Sequence, residues 1–177
     1  MVGKYAVAAV GLLVALAGAS LCDAAEQTGQ EFIKEAIQGN LAEVKVGQLA
    51  QEKGASPAVK EFGATLAKDH EMANQGATQA AQQMNITPPD KPGMKQQAVY
   101  AKLAALSGET FDRQFVKSMV KDHQEDIAKY QQEIRQGGPA ADYAKETLPK
   151  LREHLKMAED LEHGQHVASA SQNSIAK

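Results

Sequence analysis

The chain has 177 residues, 43% of them apolar and 23% charged, with a single Cys and no Trp. That is enough for one domain around one core. A net charge of −3, with no Arg/Lys run interleaved with aromatics, excludes the nucleic-acid-binding classes.

The opening segment, MVGKYAVAAVGLLVALAGASLCDAA, reads as a secretory signal peptide over residues 1–25. Lys4 supplies the positive start, Tyr5 to Leu21 carries no charge, and small residues follow, so cleavage is expected after Ala24 or Ala25. The uncharged run is at the short end of the roughly 17–25 residues that span a bilayer, and its Ala and Gly make it a weak anchor. No transmembrane span is expected after cleavage. Cys22 follows Leu21 where a lipidation signal has a small residue, which argues against a lipoprotein. The exported chain then has no thiol for a disulfide, a nucleophile or a metal ligand. Loss of Lys4 and Asp23 together leaves the net charge at −3.

Nothing after Ala25 reads as strand; Ala, Gln, Lys, Glu and Leu dominate, with apolar residues three and four apart. A first helix is expected from Glu26 to Lys53, ending at Gly54. Ser56 as N-cap and Pro57 at the first helical position start a second, which runs to about Asn85. ITPPDKPG, residues 86–93, breaks the pattern. A short helix follows from Met94 to Leu106, then a long one from Glu109 to Gln136, closed by Gly137 and Gly138. The last runs from Pro139 to His163 or Gly164, with Pro149 either kinking it or leaving its first turn irregular. Residues 26–164 thus form the folded domain, and 165–177 a disordered tail. Four long helices, with a short extra helix in the crossover between long helices 2 and 3, predict an all-α four-helix bundle.

One motif recurs: LAKDHEM at 66–72, MVKDHQE at 119–125, and a looser LREHLKM at 151–157. On the second helix Val59, Phe62, Leu66, His70, Ala73, Ala77 and Met84 share a face, so His70 lies within the apolar stripe. His123 sits likewise among Phe111, Phe115, Met119, Ile127, Tyr130 and Ile134, and His154 among Leu151, Ala158 and Leu161. The first helix offers Ala36, Asn40, Glu43, Gly47 and Ala50, a stripe of little volume with room around Glu43. Each long helix therefore turns one metal-capable side chain inward: Glu43, His70, His123 or His154. One zinc, iron, copper or manganese ion suits such an imidazole and carboxylate set. Asn40, Asp69, Asp112 and Asp122 are the candidates for supporting or capping roles, Asp112 being three turns from His123 and too distant to share its ion. Met119 and Met157 have on-face spacing to His123 and His154, but Met72 does not to His70, so a Met/His copper site is not expected. The competing reading is a buried hydrogen-bonded network that fixes register without chemistry.

The segments EVKVGQLAQEK, VKEFGATLAKDH, LSGETFDRQFVKSMVKDH and LPKLREHLKMAEDL, within Gln30 to Leu161, resemble domain-of-unknown-function family 4142. The resemblance implies a ferritin-like bundle, exported to the periplasm or associated with the envelope, whose activity is not established. Di-iron chemistry is not expected: it needs Glu-x-x-His on two helices, and Ala67, Val120 and Leu151 stand three residues before the histidines. A hydrolase is not expected either, for want of a nucleophile elbow, a phosphate loop or a mature Cys. Two functions follow. One is a metal-handling or stress protein; the other is an envelope structural protein, paired with another envelope protein or with a second copy, whose His/Glu network stabilises or pH-tunes the helices.

Overall fold

The computed structural model describes the backbone of residues 15–175 and the side chains of residues 28–164. Among these the protein is all-helical, with no strand. The helices are α1 (Ala15–Lys53), α2 (Pro57–Gln83), α3 (Met94–Ala104), α4 (Gly108–Ile134) and α5 (Gly138–Ile175). The start of the expected signal peptide, residues 1–14, lies outside the described residues. No helix among the described residues is long and apolar enough to cross a membrane.

Two ends depart from the sequence reading. α1 begins at Ala15 instead of Glu26, because the Ala-rich stretch after it favours helix without a break. α5 continues past Gly164 to Ile175, through most of the segment expected to be irregular; residues 176 and 177 lie outside the description. A glycine stops a helix when it turns left-handed, as Gly137 does with φ +80. Gly164 has no such φ, and one helical glycine costs only about 1 kcal/mol against alanine. Pro149 lies inside α5 without interrupting it.

Short connections make neighbours antiparallel. α1 packs on α2, α4 on α5, and α2 on α5, while α3 lies across α1 and α4. The turn into α2 is held from a distance. Ser56 stands at the N-cap but its hydroxyl makes no capping bond. Instead Asp112 of α4, buried, accepts the Ala55 and Ser56 amides at 3.0 and 2.8 Å. This supplies the acceptors that a helix start lacks.

α1 and α2 meet on glycine. A Cβ on Gly63 would lie 2.6 Å from the Gly47 carbonyl oxygen and 2.7 Å from the Ala50 Cβ. The low-volume stripe of α1 is therefore where α2 comes closest, and that approach lets Asn40 reach His70.

The core falls into two halves. One contains Ile33, Ile37, Ala77, Tyr130, Tyr143 and Leu151; the other contains Val46, Phe62, Leu66, Phe115, Met119 and Ala158. Between them every long helix changes to a polar residue: Asn40 on α1, His70 on α2, His123 on α4 and His154 on α5, all buried.

Gly63→Ala should lower stability by about 1–3 kcal/mol, the usual cost of overpacking. In a chain of this size that is a fall in Tm of roughly 2–12 °C, read by thermal circular dichroism. An unchanged Tm would mean that α1 and α2 are not in this contact.

Candidate metal centre

His70, His123 and His154 are 4%, 2% and 1% exposed, so none has water as its main partner. One ring nitrogen of each lies within 4.8 Å of those of the other two. Ring centroids are 5.8 Å apart for His70–His123, 5.2 Å for His70–His154 and 5.4 Å for His123–His154.

Each ring is anchored through one nitrogen only. His70 Nδ1 is 2.9 Å from Asn40 Oδ1, while the Asn40 amide nitrogen donates to Tyr143 Oη at 3.0 Å, so the imidazole is the donor. His123 Nδ1 donates to the Met119 carbonyl at 2.9 Å. His154 Nε2 donates to Asp69 Oδ2 at 3.0 Å. An amide oxygen, a carbonyl and a carboxylate thus fix three tautomers. The remaining nitrogens, His70 Nε2, His123 Nε2 and His154 Nδ1, are buried and have no hydrogen-bond partner. Each is a bare lone pair.

Neutral imidazoles whose other N–H is held by a carboxylate or carbonyl are a donor set that could hold a transition-metal ion. Imidazole binds zinc at about 2.0–2.1 Å, which puts tetrahedral ligand nitrogens about 3.4 Å apart. Ring nitrogens within 4.8 Å of one another would have to draw together by up to about 1.4 Å to reach that spacing. Three ligands leave a position open for water or another donor.

Electrostatics keep the rings neutral. Burial, then His123 and His154, push His70 well below the usual imidazole range. Burial, then His154, take His123 down to about 4. Burial also lowers His154, with the Asp69 bond opposing it.

Glu43 is not in the three-histidine group. Its carboxyl is buried beside Asp122 and Asp126, in a cavity of about 80 Å³ also bordered by Met119, and Oε2 has no partner. Burial, then Asp122, then Asp126, push its pKa up to about 8. Asp122 and Asp126 are raised too, each chiefly by burial, Asp126 to about 6. Asn40 and Asp69 touch histidines, Asp112 caps α2, and Asp122 faces Glu43.

The hydrogen-bonding roles of two tyrosines were not legible in the sequence. Tyr143 holds Asn40, and Tyr130 Oη lies 3.2 Å from Tyr143 Oη, so a buried chain of hydroxyls backs His70. Asp126 was legible only as one more acid, four residues after Asp122.

Fold and site together define an all-helical protein with a three-imidazole group at mid-core. The chain belongs to the family described as Domain of unknown function (DUF4142), whose model matches residues 16–161. No curated protein and no solved structure matches it.

The two sets of groups impose opposite pH dependences on the metal-free protein. Unfolded histidine takes a proton near 6.5 and folded His123 only near 4, so stability falls as pH drops through that window. Unfolded Glu43 loses its proton near 4.5 and the folded one near 8, so its penalty grows as pH rises between them. In thermal melts across pH, Glu43→Gln should gain on the wild type steadily from pH 5 to 8. A constant difference would mean that the carboxyl is not buried as described.

Proposed function

We propose that this protein is an exported member of its family that binds one transition-metal ion through His70, His123 and His154, in a metal-handling or stress role in the periplasm or envelope. In this reading α1, α2, α4 and α5 form a ferritin-like four-helix bundle, and α3 lies in the crossover between α2 and α4. The observation that carries the proposal is the set of three buried, unpartnered ring nitrogens on three different helices. A buried polar atom without a partner costs about 1–3 kcal/mol, and three in one place are accounted for together by a cation.

The donors narrow the ion. Imidazole nitrogen suits zinc, copper and iron, whereas manganese prefers oxygen ligands. With no carboxylate in the group, nothing bridges two irons, so a single ion is the reading. The alternative is a non-catalytic envelope structural or interaction protein. What favours it is that each ring already has one hydrogen bond, which is all that packing requires.

Total metal analysis of untagged protein separates the two. The expected result is one equivalent of a single metal in the wild type and none in His70→Ala/His123→Ala. Adding that ion to the stripped wild type at 100 times its Kd should stabilise it by about 2.7 kcal/mol. That corresponds to a rise in Tm of roughly 5–11 °C. No metal in either protein, with the double variant merely less stable, makes the histidines architecture.

A further inference from the structure

We propose that Glu43, Asp122 and Asp126 form an acidic vestibule beneath α3, through which a hydrated divalent cation is captured and passed to the three histidines. This rests on the metal reading above and deepens it by assigning the route and the class of ion.

Asp122 and Asp126 are one turn apart on α4, where like charges repel. An acidic pair of this kind is ordinarily a solvated helix face. Here both are partly withdrawn from solvent, and Glu43 of α1 comes to meet them. The independent observation is the Glu43 carboxyl, whose Oε2 has no solvent contact and no hydrogen-bond partner, although it borders this cavity. Packing alone gives no reason to bring three carboxyl groups together and leave one oxygen bare. A cation does.

The cavity also leads to the right place. A second cavity, of about 40 Å³, has Asn40 and His70 in its wall. The two share Gly39, Gln96, Asp126 and Lys129, so Asp126 belongs to both. At the shared wall Gly39 carries no side chain, and a Cβ built there would have no atom within 4 Å. The larger cavity, about 80 Å³, has room for an ion with a few waters, each water having about 30 Å³ in the liquid.

The lysines at the rim are already engaged. Lys95 of α3 pairs with Glu125 at 3.1 Å, and Lys129 of α4 with Glu35 of α1 at 3.0 Å. Neither acid is one of the three inner carboxyls, so each rim lysine has its ion-pair partner elsewhere and acts on Asp126, and Lys95 on Asp122, only at longer range. Carboxylate oxygens hold hard, hydrated cations loosely, and imidazoles hold transition metals more firmly. An ion that prefers nitrogen therefore moves inward, while magnesium or calcium stays at the carboxyls.

The test is stopped-flow mixing of cobalt(II) with the metal-stripped full chain, followed by the visible absorption of the bound ion. At pH 8, where Asp126 has lost its proton and Glu43 is part-ionised, such a cleft is charged, and a charged cleft raises cation on-rates by about 10–10³. The variant Glu43→Gln/Asp122→Asn/Asp126→Asn should therefore bind cobalt at least tenfold more slowly, and millimolar magnesium should slow the wild type but not the variant. At saturating cobalt its final spectrum should equal that of the wild type, because the ligands are unchanged. Glu61→Gln/Glu71→Gln/Glu159→Gln, which removes three carboxylates at exposed positions, should bind at the wild-type rate. If the triple acid variant does not fold, Asp126→Asn alone, at the residue common to both cavities, is judged by the same criteria at threefold. Equal rates in variant and wild type overturn the vestibule. A variant spectrum that differs at saturation overturns it too, by making a carboxylate a ligand. No cobalt spectrum in the wild type refutes the three-histidine reading first, before any variant is compared.

Discussion

The rest of the structure depends on how three imidazoles are held: each is pinned by one nitrogen and bare at the other, in a layer almost closed to solvent. A ring with both nitrogens satisfied would need only a slot in the core. A ring with one bare nitrogen needs its orientation set from behind, and the partners do this with three different groups. The Asn40 amide, the Met119 carbonyl and the Asp69 carboxylate all accept, so all three rings present a lone pair. The tautomers follow from the acceptors, and the acceptors follow from helix register.

Register in turn depends on the close approach of α1 and α2. Gly47 and Gly63 meet backbone to backbone, and Asn40, two turns before Gly47, reaches His70, two turns after Gly63. The partition of the core keeps this level fixed. With Phe62, Leu66 and Phe115 on one side and Ile37, Tyr130 and Leu151 on the other, a shift of any long helix by one turn would move a polar residue into an apolar half. The Tyr143–Tyr130 hydroxyl pair adds a second tie to Asn40 from α5 and α4.

The inward direction of His70, His123 and His154 was legible because a period of three and four residues reports angle around a helix. Small differences of angle and depth along the helix are finer quantities, and they decided the remaining cases. Glu43 stands three residues after Asn40, about 60° round the helix, so it meets Asp122 and Asp126 while Asn40 meets His70. Asp112 shares a face with His123 yet lies three turns away, where the start of α2 needs acceptors. Tyr143 could not be seen at all, because its role depends on pairing α5 with α1 across the molecule. The helix boundaries were legible wherever glycine turns left-handed or proline blocks the chain. They were not at Gly164, because a glycine in a sequence does not reveal the sign of its φ.

Charge is the remaining constraint. Three neutral rings add no charge to a divalent ion, so on the proposed reading the ion would bring its full charge into a dry layer, where the cost is several kcal/mol unless opposite charge is near. Asp69 offers that charge through the His154 N–H, at 3.0 Å from the ring. Asp122, Asp126 and Glu43 offer more on the side where the cavities reach His70. Without an ion Glu43, pushed up to about 8, keeps its proton at neutral pH, and burial raises Asp126 and Asp122 as well. A cation that binds near them replaces protons, so loading the site need not change the net charge of the interior by much. On that reading the exchange would give the acidic group a reason to sit beside three histidines that exclude it.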